Sequence, residues 1–176
     1  GDFIKTLFEE TDAKYVEPMV PMLFVKNKPD QFIWQSKKDG WNHLYLYNIN
    51  GTLIKQLTSG QWEVLDVKGF DAKAENLFYI STEQSPVSKN LYKLDLKKNI
   101  SKAVTNADCL HNIQISSDGA FVIDNFSSAT NPRTIQLIEV NSGKTKQLLQ
   151  SANPLANYNT GNLSIFKIKS TEGTDL

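Results

Sequence analysis

Residues 32–64 read FIWQSKKDGWNHLYLYNINGTLIKQLTSGQWEV. Three apolar or alternating runs, at 32–36, 43–47 and 53–58, are joined by turn residues at 37–42 and at Asn50-Gly51. Such spacing predicts consecutive antiparallel strands. Asn-Gly between two runs predicts a type I′ hairpin turn, because both central positions of that turn need positive φ. The middle run is apolar on both faces, with Leu44 and Leu46 on one side and Tyr45 and Tyr47 on the other. A surface sheet shows one polar face, so this strand is expected to be covered on both sides. The third run carries Lys55 and Gln56, as an edge strand does. A small sheet that grades from apolar to polar and is pressed on both faces describes one blade of a β-propeller.

Working outward, the pattern recurs. Leu23-Phe24-Val25 and Phe32-Ile33-Trp34 flank turn residues around Pro29-Asp30. Leu65-Asp66-Val67 and residues 77–81 flank Phe70-Asp71, and Ile113-Gln114-Ile115 and residues 121–124 flank Ser116-Ser117-Asp118-Gly119. Each pair is followed by a third run (43–47, 91–96, 135–140) and a fourth (53–58, 101–105, 145–149). The repeat is roughly 45 residues, the length of a four-stranded blade. No sustained 3.6-residue periodicity predicts a long helix. The fold class expected is all-β, a partial propeller of about three four-stranded antiparallel blades. Three blades are too few to close a ring of about four to eight. The run at 4–8 is expected to be an orphan strand from a preceding blade. Residues 163–169 alternate and are expected to form a further strand.

The chain has 176 residues, with 19 basic and 19 acidic side chains. That balance offers no electrostatic footprint for nucleic acid or an anionic membrane. No apolar run approaches the ~20 residues that span a bilayer. The start, Gly1-Asp2-Phe3, lacks the basic and apolar regions of a signal peptide. A single cysteine, Cys109, excludes an internal disulfide and a cysteine zinc site.

Candidate chemistry is sparse. A nucleophile needs a base held against it, and only His43 and His111 are available. Their placement on different blades argues for structural hydrogen bonds rather than a metal site. Trp34, Trp41, Trp62, Tyr45, Tyr79 and Phe78 suit blade-to-blade packing better than stacking on a sugar or base. Asp39-Gly40 and Asp118-Gly119 fit turns rather than calcium loops, since no chain of alternating oxygen ligands follows. Trp62 stands where the chain crosses from one blade's rim to the next blade's centre. It is expected to wedge between blades, its N–H donating to a carbonyl of the crossing loop.

The segment Ser36-Lys37-Lys38-Asp39-Gly40-Trp41-Asn42-His43-Leu44-Tyr45 resembles the S-x-x-D-G-[WY]-x-H-L-Y passage of dipeptidyl peptidase IV-like proteins of the prolyl oligopeptidase family. Leu57-Thr58-Ser59-Gly60-Gln61-Trp62-Glu63-Val64 is similar to the L-T-x-G-x-W-E-V passage that follows there. Glu83-Gln84-Ser85-Pro86 with Asn90-Leu91-Tyr92 resembles its E-x-S-P…x-L-Y stretch. The resemblance covers roughly residues 6–149. It implies the last three blades of an N-terminal propeller of about eight blades, leading into an α/β-hydrolase domain. It divides the chain into 1–14, a remnant of a preceding blade; 15–60, 61–106 and 107–150, one blade each; and 151–176, a linker strand.

The resemblance further implies a serine dipeptidyl peptidase that removes N-terminal Xaa-Pro dipeptides. Its catalytic serine, aspartate and histidine would lie outside this chain, which contains no Gly-x-Ser-x-Gly elbow. No catalytic, cofactor-binding or metal-binding residue is expected here, and no cofactor. The family's amine-anchoring glutamate pair sits on a helix, so Glu9-Glu10, after a strand remnant, is expected to be a solvated loop pair. Residues 15–22 fall where the family runs an inner strand near its cavity, so Glu17 and Met19 are the candidate cavity-lining residues. Peptide substrates, a hydrolase domain and a second copy are the expected partners, and a periplasmic or extracellular location follows by resemblance. An excised arc would expose two blade faces and associate through them. The alternative is a free-standing propeller module that binds protein partners.

Overall fold

The computed structural model describes residues 4–17, 20–105, 109–161, 164 and 166–173. Among them are twelve strands and no helix. Strands β1 (Leu23–Val25), β2 (Lys28–Ser36), β3 (His43–Asn48) and β4 (Leu53–Gln56) form one antiparallel sheet in chain order. Strands β5 (Val64–Phe70), β6 (Asn76–Ser81), β7 (Asn90–Asp95) and β8 (Ile100–Ala103) form the second. Strands β9 (Leu110–Ile115), β10 (Phe121–Ser127), β11 (Thr134–Glu139) and β12 (Thr145–Gln150) form the third. Three such meanders are the blades of a partial β-propeller, as the repeat predicts.

The blades stack through alternating faces. One face of the first blade, with Ile33, Leu44 and Leu46, packs against Leu77, Tyr79, Tyr92 and Leu94 of the second. The other face of the second, with Phe78, Ile80 and Leu91, packs against Ile113, Val122 and Ile138 of the third. We call these the forward and back faces: each blade's forward face meets the next blade's back face. The third strand of the first blade is buried on both sides, as its two apolar faces require. Its Tyr45 and Tyr47, however, are covered by Leu7 and Phe8 of the chain's start rather than by a blade.

Each of the first two blades is closed at its rim by a threonine. Leu44 N–H donates to the Thr58 hydroxyl at 3.0 Å, and Leu91 N–H to Thr105 at 2.9 Å. Both threonines follow an outer strand and continue its pairing through a side chain where the backbone has begun to leave.

Four local expectations need correction. Asn50-Gly51 does not form a type I′ turn, because Gly51 (φ 85) alone of the pair has positive φ. Gly51 N–H donates instead to the Asn48 carbonyl, and Asn48 Oδ1 accepts from the amides of Asn50 and Thr52. Asn48 thus supplies the turn chemistry. In the first hairpin the turn lies at Lys26-Asn27, with Asn27 at φ 68, and Pro29 and Asp30 stand inside β2. Asn tolerates the left-handed region almost as glycine does. Residues 4–8 are in no strand; Leu7 and Phe8 pack across the face of the first blade, on Phe32, Tyr45 and Tyr47, instead of pairing along an edge. Of the strand expected at 163–169, Leu163 and Ile165 lie outside the described residues, and the others form no continuous strand.

Candidate functional site

Residues 4–17 act as a strap across the back face of the first blade, and side chains set their course. The Phe8 ring stacks on Tyr47 at 4.7 Å and on Phe32 at 6.3 Å, and meets Trp34 edge-on at 5.4 Å. Lys5 Nζ donates to Asn50 Oδ1 at 3.3 Å. The Leu7 carbonyl lies so close to Gly51 that a Cβ there would overlap it. Glycine at 51 therefore serves both the turn and the strap's approach. Glu10, expected to be solvated, is half-buried and accepts the Trp34 indole N–H at 3.1 Å, while Glu9 is exposed. Asp12 Oδ1 accepts the amides of Lys14 and Tyr15 at 2.7 and 3.2 Å, which holds its carboxyl below the usual range.

The strap ends on an ion pair. Lys37 Nζ lies 2.8 Å from the Glu17 carboxylate and 3.6 Å from Glu63. The hydrogen bond to Glu17 raises the Lys37 pKa, opposed by slight burial and aided by Glu63. A raised lysine contributes stability that is complete below its ordinary pKa and is lost as pH rises through the folded value. The far end of the strap should therefore stay docked at neutral pH and release only above the ordinary lysine value of 10.5. A carbon-13 titration of the Glu17 carboxylate should show an inflection there. A flat trace would mean that Lys37 does not hold Glu17.

Two recesses lie between strap and blade. The smaller, about 360 Å³, is walled by Leu7, Phe8, Val16, Met22 and Trp34. The larger, about 690 Å³, opens between the strap and the 36–40 loop. Its rim carries Glu9, Glu10, Asp12 and Glu17 on the strap side and Lys37 and Lys38 on the loop side. Lys38 donates to the Tyr47 hydroxyl at 3.1 Å and sits 3.8 Å above the centre of the Tyr45 ring. Opposed charges over an aromatic floor suit a polar, extended ligand such as a peptide. Glu17 lines both recesses, whereas Met19 lies outside the described residues.

Both histidines are engaged within their own blades. His43 Nε2–H donates to the Gly60 carbonyl at 2.9 Å, so Nδ1 accepts from the Thr58 hydroxyl at 3.1 Å. His111 Nδ1 meets Asp124 Oδ1 at 2.8 Å inside the third blade. Among the described residues no group of three or more His, Cys, Asp or Glu side chains comes together to hold a metal. Trp62 stands between the blades as expected, half-buried between His43 and Tyr79. The Gly60 carbonyl of the crossing loop, however, is bonded to His43 rather than to the indole. Sequence inspection missed Lys37 and Lys38 as strap and floor residues. The only signal there, Lys-Lys-Asp-Gly, speaks of a turn.

The family model for the dipeptidyl peptidase IV (DPP IV) N-terminal region matches residues 2–133. A probable dipeptidyl peptidase 4 of Aspergillus fumigatus is 25% identical over 98% of this chain and 24% of its own length. The dipeptidyl peptidase 4 of Trichophyton rubrum is 22% identical over 92% of the chain and 22% of its own length. In three dimensions the chain is similar to Porphyromonas gingivalis dipeptidyl peptidase 4, with a TM-score of 0.76 and 26% identity over 88% of this chain and 22% of that one. It is similar also to a putative dipeptidyl aminopeptidase IV from Bacteroides ovatus, with a TM-score of 0.79 and 28% identity over 93% of this chain and 26% of that one. The chain spans about a quarter of the length of these relatives.

Proposed function

The chain belongs to the family of dipeptidyl peptidase IV N-terminal regions, and from that premise we propose that it is the non-catalytic propeller portion of a serine dipeptidyl peptidase. In the whole enzyme it walls the cavity above the active site and admits only short peptide ends. A separate hydrolase domain supplies the nucleophile and releases N-terminal dipeptides of Xaa-Pro type. A location outside the cytoplasm, periplasmic or extracellular, goes with that role. No helix among the described residues is long and apolar enough to cross a membrane.

The observation that carries this proposal is the larger recess, where Glu17 of the strap faces the Lys37-Lys38 loop over Tyr47. It can hold an extended, charged chain, and no histidine or cysteine is among the described residues that line it. Glu17 is the residue we assign to the cavity wall, and the recess gives it both access and a fixed position through Lys37.

Alone, the chain should turn over no Xaa-Pro chromogenic amide above background. Turnover sensitive to a serine-directed inhibitor would overturn the assignment of chemistry to another domain. Activity is the right measurement because it does not depend on which residues line the recess.

A further inference from the structure

Strand β1 spans only Leu23–Val25, whereas β5 and β9, the first strands of the other two blades, span seven and six residues. Leu23 stands opposite Ile33. Were the pairing to run on, Pro21 would stand opposite Gln35, and a proline has no N–H to carry the ladder. The corner between the first two blades, beside β1 and β5, is left as a recess of about 280 Å³. Leu23, Ile33 and Val67 line it, with the exposed Val20 and Met22 beside them. Gln35 and Asp66 supply its polar groups. We propose that this recess binds one aliphatic residue of an extended peptide, whose carbonyl accepts the Gln35 Nε2–H and whose N–H donates to Asp66.

Gln35 carries the inference. It lies two residues beyond Ile33 on β2, so it shares the forward face, and it is only 7% exposed. Asn42 Nδ2 donates at 3.2 Å to Gln35 Oε1 and at 2.6 Å to the Val64 carbonyl. One NH2 group makes both contacts, so the Gln35 oxygen is the atom turned to Asn42, and Nε2 is left on the other side. Among the described residues Nε2 has no acceptor. A donor so nearly buried is costly to leave unmatched, and a guest carbonyl in the recess matches it. Asp66, at the exposed side, gives Oδ2 to Lys68 Nζ at 2.7 Å. Its Oδ1 has no donor among the described residues.

One donor and one acceptor beside an apolar wall match the C=O and N–H of a single peptide residue. Volume sets the size of the guest. Whole small-molecule ligands occupy roughly 300–1,000 Å³, so this recess takes one branched side chain with its peptide unit. Charge sets its sign. No lysine, arginine or histidine is among the residues that line the recess, so an anionic guest meets only Asp66, which repels it. The choice of a peptide as guest rests on the reading above, which makes peptides the molecules this chain meets.

The probe is N-acetyl-leucine methylamide, an aliphatic side chain between two peptide groups. Titrated at millimolar concentration into the nitrogen-15-labelled chain, it should move the Gln35 side-chain NH2 signals along a saturable curve. N-acetylglycine methylamide lacks the side chain and should bind at least about tenfold more weakly. Gln35→Met removes the donor and should weaken binding of the leucine probe about tenfold, read at the backbone amides of Ile33 and Val67. If circular dichroism shows that Gln35→Met loses its sheets, Asp66→Ala, at an exposed position, replaces it and should weaken binding about threefold. The absence of a saturable shift at Gln35 would overturn the proposal, as would equal binding of the glycine probe or full affinity in the folded variant. Shifts gathered at the Trp34 indole would also overturn it, since the probe would then sit under the strap. None of these results depends on turnover of an Xaa-Pro amide, so the recess and the propeller reading fail separately.

Discussion

Asp124→Ala should lower the unfolding free energy by about 2–4 kcal/mol, because each polar partner left short of its acceptor in the interior costs about 1–3 kcal/mol. The Asp124 side chain is fully buried, and that of His111 is 1% exposed. One carboxylate oxygen takes His111 Nδ1 at 2.8 Å, and the other takes the Gln136 amide at 2.9 Å. All three face the second blade, beside Ile113 and Val122. Removing the carboxylate takes the acceptor from the buried His111 ring and from the half-buried Gln136 amide, which is the costly direction. Gln136→Ala leaves only one oxygen short of a donor and should cost about 1–3 kcal/mol. Urea melts give both values. The double change His111→Phe with Asp124→Val should cost less than Asp124→Ala alone, because an apolar pair removes both ends of the polar demand. If the double variant proves the worse, packing and not polarity holds this site.

Trp62→Ala should cost about 3 kcal/mol, the low end for a large aromatic, because the indole is only half-buried. Its ring stands edge-on to His43 at 4.7 Å and stacks on Tyr79 at 6.3 Å, so it joins the rim of one blade to the sheet of the next. Gly60 fits against it. A Cβ at 60 would overlap the indole, and φ of 138 is one that side chains rarely adopt. Truncating Trp62 therefore loosens the crossing loop that also offers its Gly60 carbonyl to His43. Trp41, 40% exposed in the loop before β3, should cost clearly less. Urea melts of the two variants beside the parent chain decide it. Greater damage from Trp41→Ala would place the junction between the first two blades elsewhere than at Gly60.

Much of the fold was legible because strands announce themselves locally. The alternation at 43–47, the repeat near 45 residues and the Asp-Gly turns all act over a few neighbours, and all appear as expected in β3, in the three meanders and at Gly40 and Gly119. The Ser36–Val64 passage also carried the family, since its residues build one blade and the crossing to the next. Where local chemistry has two solutions, sequence inspection chose wrongly. Asn-Gly suits a type I′ turn, but Asn48 two residues earlier captures the amides with its own side chain. Pro29-Asp30 looks like a turn, but Asn27 reaches the left-handed region first.

The candidate site was nearly invisible for a different reason. It joins residues 10, 17, 34, 37 and 63, and nothing in their spacing shows that they meet. The expectation of two open faces failed on the same ground. Leu7 and Phe8 read as the end of a strand, yet among the described residues they cover the first blade's back face.

The sequence by itself determined the all-β class, the four-strand repeat, the family and the lack of a nucleophile elbow, because each depends on patterns a few residues long or on composition. The tertiary structure alone decided which blade face is capped, that Glu10 and Lys37 pin the strap, and that His111 and Asp124 share a buried bond. Those depend on where the blades' stacking brings distant residues together, and that stacking is set by burial summed over whole faces, which no short stretch of sequence records.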